Sequence, residues 1–191
     1  PAAFDSTVVG LAGPSSGVVV VQTFDCVIAL QAADGQELWR RDFFELDGAA
    51  DSAVATVGEA VILGGDPIRS LDIATGEVSH EADGSQDISA VVVEGSSVYV
   101  ASPDGVLALS AGDLQTQWLH ATDDDVDNLS VGGGTVFYSV LAGGVGALSS
   151  SGDLLGDAEP GEVFQALDVE GSTLLAGRSD RMPRAGARQW V

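Results

Sequence analysis

A thirteen-residue segment recurs four times at intervals of about 40 residues, and a period of that length limits the chain to a repeat architecture. The copies are VIALQAADGQELW (27–39), IRSLDIATGEVSH (68–80), VLALSAGDLQTQW (106–118) and VGALSSSGDLLGD (145–157), and they superpose without gaps. Each has leucine in fourth place: Leu30, Leu71, Leu109 and Leu148, spaced 41, 38 and 39 residues apart. A glycine-containing turn follows. Nine residues after the leucine stand Trp39, His80, Trp118 and Asp157.

A second series precedes the first. Val18–Val21, Ala60–Leu63, Ser97–Val100 and Thr135–Tyr138 are β-rich runs, each following a glycine turn. Thr173–Ala176 opens a fifth unit, which the spacing Gly186…Trp190 completes in the manner of Gly35…Trp39. Pro183 in its middle suits an edge or irregular strand. Each unit therefore reads as four strands, A to D, joined by short turns. Such a sheet cannot bury both faces alone, but sheets packed face to face around an axis can. The expected fold is all-β: a single β-propeller over residues 1–191, with four-stranded antiparallel blades at about 6–44, 50–82, 86–121, 126–158 and 162–191.

Composition narrows the partners. The 191 residues carry 29 acids against seven arginines and no lysine, a formal charge of -22. Such a chain repels nucleic acid and anionic membrane surfaces and favours a cation or a basic protein surface. An acidic surface also serves solubility alone. No stretch approaches the ~18–20 apolar residues of a membrane span. Cys26 is the only cysteine, so no internal disulfide forms, and its apolar surroundings suit a small core residue. The chain opens on Pro1 without a visible signal peptide, as expected of a processed chain or a piece of a longer one.

The pattern apolar-Ala-Leu-(Asp)-x-x-x-Gly-x-x-x-Trp, best seen in Ala29–Trp39 and in LDIATG from Leu71 to Gly76, resembles the repeat of the quinoprotein-like (PQQ-like) propellers. That superfamily contains pyrroloquinoline-quinone dehydrogenases. It also contains non-enzymatic members, among them an envelope lipoprotein that assists outer-membrane protein assembly and sensor domains of receptor kinases. The resemblance implies a tryptophan packed between blades, here Trp39, Trp118 and Trp190, with His80 and Asp157 departing from it. It implies rings of seven or eight blades, so five repeats form part of a larger ring. It also implies an extracytoplasmic location, in the cell envelope or secreted.

The enzymatic branch is similar in repeat but uses a vicinal cysteine pair, basic side chains against the quinone, and a Ca²⁺ beside a catalytic aspartate. This chain has one cysteine and no lysine. No catalytic residues and no cofactor are expected. His80 is expected between blades and His120 on the surface, at no metal-ligand spacing from each other. Asp123, Asp125 and Asp127 alternate like the opening of a Ca²⁺ loop. Asn128 and Gly134 occupy the places where an EF-hand needs Gly and Glu. What is left is a looser Ca²⁺ candidate, competing with a solvated acidic loop.

Strand register predicts one further feature. The B–C turns and D–A connections share one end of the blades, and acids recur there. Asp47, Asp51, Asp83, Asp87, Asp123, Asp127, Glu159 and Glu162 lie in or beside D–A connections. Asp25, Asp66, Asp104 and Asp180 lie in B–C turns. Asp51, Asp87, Asp127 and Glu162 sit near the start of strand A, at the expected channel mouth, and with Asp66 and Asp104 form the candidate partner-binding set. Aspartate is also a common turn former. The leading expectation is a non-catalytic, extracytoplasmic scaffold or sensor that binds a protein. The alternatives are a quinoprotein-type, metal-dependent dehydrogenase and a structural segment of a larger assembly.

Overall fold

The computed structural model describes residues 6–46, 50–84, 87–158, 164–170, 173–178 and 188–189. They form five antiparallel sheets in chain order and no helix. Blade 1 comprises β1 (Val8–Ser15), β2 (Val18–Thr23), β3 (Cys26–Gln31) and β4 (Glu37–Asp42). Blade 2 comprises β5 (Ala50–Val57), β6 (Ala60–Gly65), β7 (Ile68–Asp72) and β8 (Val78–Ala82). Blade 3 comprises β9 (Ala90–Glu94), β10 (Ser97–Ser102), β11 (Gly105–Ser110) and β12 (Thr116–Ala121). Blade 4 comprises β13 (Val126–Gly132), β14 (Thr135–Val140), β15 (Val145–Ser149) and β16 (Leu154–Ala158). The fifth sheet comprises β17 (Phe164–Glu170), β18 (Thr173–Arg178) and β19 (Arg188–Gln189).

The hairpins follow from local sequence. Ser16 and Gly17 both have positive φ, as a two-residue type I′ turn demands, and the pair Ser15↔Val18 closes it. Glycine supplies one of those angles without strain. In blades 1 to 4 the C–D pairing slips by one residue at the repeat leucine, between Ala29 and Leu30, Ser70 and Leu71, Ala108 and Leu109, and Ala147 and Leu148. The repeated sequence thus carries a repeated bulge, which raises the local twist.

The A strands β1, β5, β9, β13 and β17 pack side by side in chain order, so the blades fan around one axis. In blades 2 to 4 strands B and C are largely buried on both faces, because each of these sheets is covered by a neighbour on either side; in blade 1 Val19 and Leu30 are partly exposed, and the D strands β8, β12 and β16 are mostly exposed. Core clusters lie between consecutive blades. Leu71 packs with Val20, Val27 and Ala29 of blade 1. Leu109 packs with Ile62 and Ile68 of blade 2, and Leu148 with Val106 and Ala108 of blade 3. These three leucines are fully buried, each facing the preceding blade.

The tryptophan positions dock blade to blade. The Trp39 indole N–H donates to the Ile73 carbonyl (2.8 Å), and its ring lies where a side chain on Gly76 would stand. Trp118 repeats this one pair of blades later, donating to the Ser150 carbonyl (3.0 Å) with its ring over Gly152. The Trp118 ring also tilts against Tyr99, 5.8 Å between centroids.

Three expectations need correction. His80 holds the Trp place, paired with Ser70, but is exposed instead of packed between blades. Across from it, Leu114 takes the glycine place with φ 57 and is buried in the cluster shared by blades 2 and 3. The apolar filler at that junction comes from the receiving turn, not from the outer strand. In blade 4, Asp157 is not the Trp equivalent. Ala147 pairs with Gly156, as Ala29 pairs with Trp39 and Ala108 with Trp118, because the C–D turn is one residue shorter. In the fifth sheet, Leu174 pairs with Arg188 as Val19 pairs with Leu30. Arg188–Gln189 is therefore the third strand and not the end of a fourth. Gly186 and Trp190 lie outside the described residues.

Candidate protein-binding face

The two ends of the blades differ in chemistry. At one end, A–B and C–D turns are tied together: Ala32 N–H donates to Gly17, Ile73 to Glu59 and Ala111 to Ser96, all at 2.8–2.9 Å. Acids here build the turns. Asp72 Oδ1 accepts from the amides of Ala74 and Thr75 and from the Thr75 hydroxyl at 2.8–3.0 Å. Those bonds favour its charged form and hold the carboxyl below its ordinary value. Asp113 is lowered likewise, by Ser110 first and then the Gln115 amide. Asp34 and Asp153 accept from Gln36 and Ser151 in equivalent turns.

At the other end lie the B–C turns and D–A connections. Asp25, Asp66, Asp83, Asp87, Asp104, Asp123, Asp124 and Asp125 are all exposed there. Asp87, with φ 68, stands just before β9. Asp127 is the second residue of β13 and half-buried, its Oδ2 accepting from the Asn128 amide at 2.9 Å. The backbone of Asp51 lies in β5. Asp47, Glu159, Glu162 and Asp180 lie outside the described residues. Among the described residues no three His, Cys, Asp or Glu side chains are grouped to hold a metal, Asp123, Asp125 and Asp127 included.

The same end presents a feature that the charge pattern did not reveal. Phe44 is 97% exposed and Phe24 66% exposed. They stand in the D–A and B–C turns of blade 1, joined by the Phe43 N–H···O=C Asp25 bond at 2.9 Å. Phe43 itself is buried and anchors the turn, so its neighbour is held outward. Leu141, in the B–C turn of blade 4, is also exposed. The dipeptide Phe43–Phe44 beside Asp42 and Glu45 was the available sequence signal: two aromatics in a connection have room for only one in the core.

The remaining candidates are structural. Cys26 is buried, its sulfur 3.4 Å from the Thr23 hydroxyl. His120, expected on the surface, is half-buried with its ring 5.9 Å from that of Tyr138 across the blade 3–4 junction. Burial pushes the Tyr138 hydroxyl up, and the nearby Asp157 charge adds to that.

A fan of four-stranded antiparallel blades, locked by tryptophan on glycine turns, defines a β-propeller of PQQ-like repeats. The chain belongs to the family described as outer membrane protein assembly factor BamB, whose repeats match residues 3–110 and 27–179. A search of curated proteins finds no significant match. Among solved structures, the computationally designed Ika8 protein superposes with a TM-score of 0.79 at 22% identity, over 92% of this chain and 56% of that one. BamB from Moraxella catarrhalis gives 0.62 at 17% identity, over 92% and 70%. A chain of Kuenenia stuttgartiensis hydrazine synthase gives 0.73 at 14% identity, over 96% and 60%. These likenesses are of fold. The chain spans little more than half the length of the Ika8 chain that it matches.

Proposed function

We propose that this chain is a non-catalytic propeller module that holds a protein partner on the face built by its B–C turns and D–A connections. The observation that carries this reading is the exposed pair Phe24 and Phe44, set among exposed Asp25, Asp42 and Asp66. Large exposed aromatics in rigid turns supply contact area at small entropic cost, and interfaces are enriched in them. The surrounding carboxylates select a partner whose apolar contact is flanked by Lys or Arg. Membership of a family described by an assembly factor supports a holding role. The same family description supports an extracytoplasmic site of action, which is part of the proposal. A single buried cysteine and the absence of lysine argue against the quinone chemistry of the enzymatic branch.

The test is capture from the native source, with the unaltered chain, F24S/F44S, D25N/D66N and D34N/D153N as baits. A specific partner retained by the first and the last, lost with F24S/F44S and weakened with D25N/D66N, is the expected result. Capture indifferent to the phenylalanines, or equally reduced by both aspartate pairs, would overturn the assignment of the face.

A further inference from the structure

At the junctions between blades 1 and 4, the outer strand of each blade sets two side chains against the next blade. They are Trp39 and Arg41 at the first junction, His80 and Ala82 at the second, and Trp118 and His120 at the third. Arg41 crosses its seam: Nε donates to the Gly76 carbonyl at 2.9 Å and Nη2 to the Thr75 carbonyl at 3.0 Å. His120 crosses the third seam to the Tyr138 ring. Ala82 is too short to cross the second. There Leu119, paired with Leu107 on the facing side of blade 3, is 53% exposed, and Leu107 and Ala82 are only partly buried. The turn that receives Arg41 in blade 2 has a counterpart in blade 3. Counted from Leu71 and Leu109, Thr75 and Gly76 correspond to Asp113 and Leu114. Gly76 and Leu114 share a positive φ, 69 and 57, and the same amide bond back to the start of the turn, to the Asp72 and Ser110 carbonyls at 2.8 and 2.9 Å. The Asp113 and Leu114 carbonyls are thus presented as those of Thr75 and Gly76 are. Among the described residues no group donates to them. The Asp113 carboxyl is exposed in the same turn.

We propose that the outer seam between blades 2 and 3 is a docking site for an arginine side chain of a protein partner, whose guanidinium bridges the Asp113 and Leu114 carbonyls while its stem lies on Ala82 and Leu119. The chain's own Arg41, seated on the equivalent pair of carbonyls one blade earlier, selects this occupant. A planar guanidinium spans two carbonyls at once, which a compact ammonium does not. The Asp113 carboxylate adds a charge-assisted attraction. An arginine stem covers apolar surface while its head stays among polar groups, which suits the exposed Leu119. The surplus of 29 acids over seven arginines draws a cationic partner toward the chain. The site lies on the outer wall and does not rest on the Phe24–Phe44 face.

The experiment follows NMR chemical shifts of the isotope-labelled chain during titration with arginine blocked at both ends, as within a peptide. The amides of Ala82, Leu114 and Leu119 should shift together and saturate, with a dissociation constant on the order of 1 mM for so small a probe. Blocked lysine and blocked citrulline, the uncharged isostere, should each bind at least about fivefold more weakly, the worth of one hydrogen bond. Free arginine should also bind more weakly, because its α-carboxylate meets an acidic surface. Ala82→Arg should abolish the saturable shifts by filling the seam from within, as Arg41 fills the first. Leu119→Ser, an exposed change that leaves the core intact, should weaken binding, whereas F24S/F44S should leave it unaltered. Shifts that do not saturate, equal affinity for lysine, citrulline or free arginine, or binding indifferent to both Ala82→Arg and Leu119→Ser would overturn the proposal. Loss of binding with F24S/F44S would overturn it as well, since the probe would then be seated on the other face.

Discussion

Gly76 and Gly35 hold the same place in successive blades and allow the tryptophan lock to be weighed. Both have positive φ, +69 and +71, so alanine at either meets the same backbone strain, about 1–2 kcal/mol. Only at Gly76 does the new methyl meet a ring, 2.7 Å from Trp39 Cδ2 and Cε3. The ring cannot swing aside without breaking its bond to the Ile73 carbonyl, so the overlap adds about 1–3 kcal/mol, the usual cost of overpacking. Gly35→Ala should therefore destabilise by about 1–2 kcal/mol and Gly76→Ala by about 2–5 kcal/mol. Urea unfolding followed by circular dichroism measures both, provided that the slope stays constant. Trp39→Ala alone should cost about 3–5 kcal/mol. In that background the excess at Gly76 should vanish, giving a coupling of about 1–3 kcal/mol in the double-mutant cycle. Equal losses at Gly35 and Gly76, or an excess at Gly76 that persists without Trp39, would refute the lock.

Two further outcomes follow from the same geometry. His80→Trp alone should destabilise by about 1–3 kcal/mol, since an indole there meets Leu114 where the other junctions offer glycine; His80→Trp with Leu114→Gly should recover most of the loss in a thermal melt, and a double variant no better than the single one would contradict the exchange. Asp72 has a folded pKa below its unfolded one, so its stabilisation is present above the unfolded value of about 3.9 and is lost as pH falls through the folded value. Asp72→Asn should accordingly melt below the parent at neutral pH, with the two curves converging under acid; a constant difference across that range would assign the loss to something other than charge.

Much of this architecture was legible because it is local. A leucine, a bulge and a glycine turn recur within a dozen residues, and strands B and C are largely buried on both faces, so they read as unbroken apolar runs. What escaped depends on pairing across strands or blades. One residue lost from the blade 4 turn moves Gly156 into the place that counting assigns to Asp157, and a fixed spacing cannot register that slip. His80 and Leu114 exchange roles across a junction, which a single-position reading shows only as a missing tryptophan. The strand at Arg188–Gln189 was misplaced because Gly–x–x–x–Trp spacing outweighed a pairing partner that the sequence does not reveal. At the candidate face the register of the repeats places the acids, whereas the exposure of Phe24 and Phe44 depends on how their turns are built, which spacing does not show.

The docking carbonyls Ile73 and Ser150 sit in the same turns that Asp72 and Asp153 shape, so an insertion there would displace a neighbouring blade as well as its own. At the opposite end, among the described residues, no tryptophan bridges blades; there the Ser89 hydroxyl donates to the Val126 carbonyl (2.6 Å), so the connections between blades share in holding them while the B–C turns stay free of the docking lock. The two ends thus differ in their tolerance of change: one fixes how neighbouring blades dock, and the other presents B–C turns that can be lengthened or exchanged while the fan of sheets stays intact. A scaffold divided in this way could acquire new partners by grafting at the B–C turns alone, without redesign of its core.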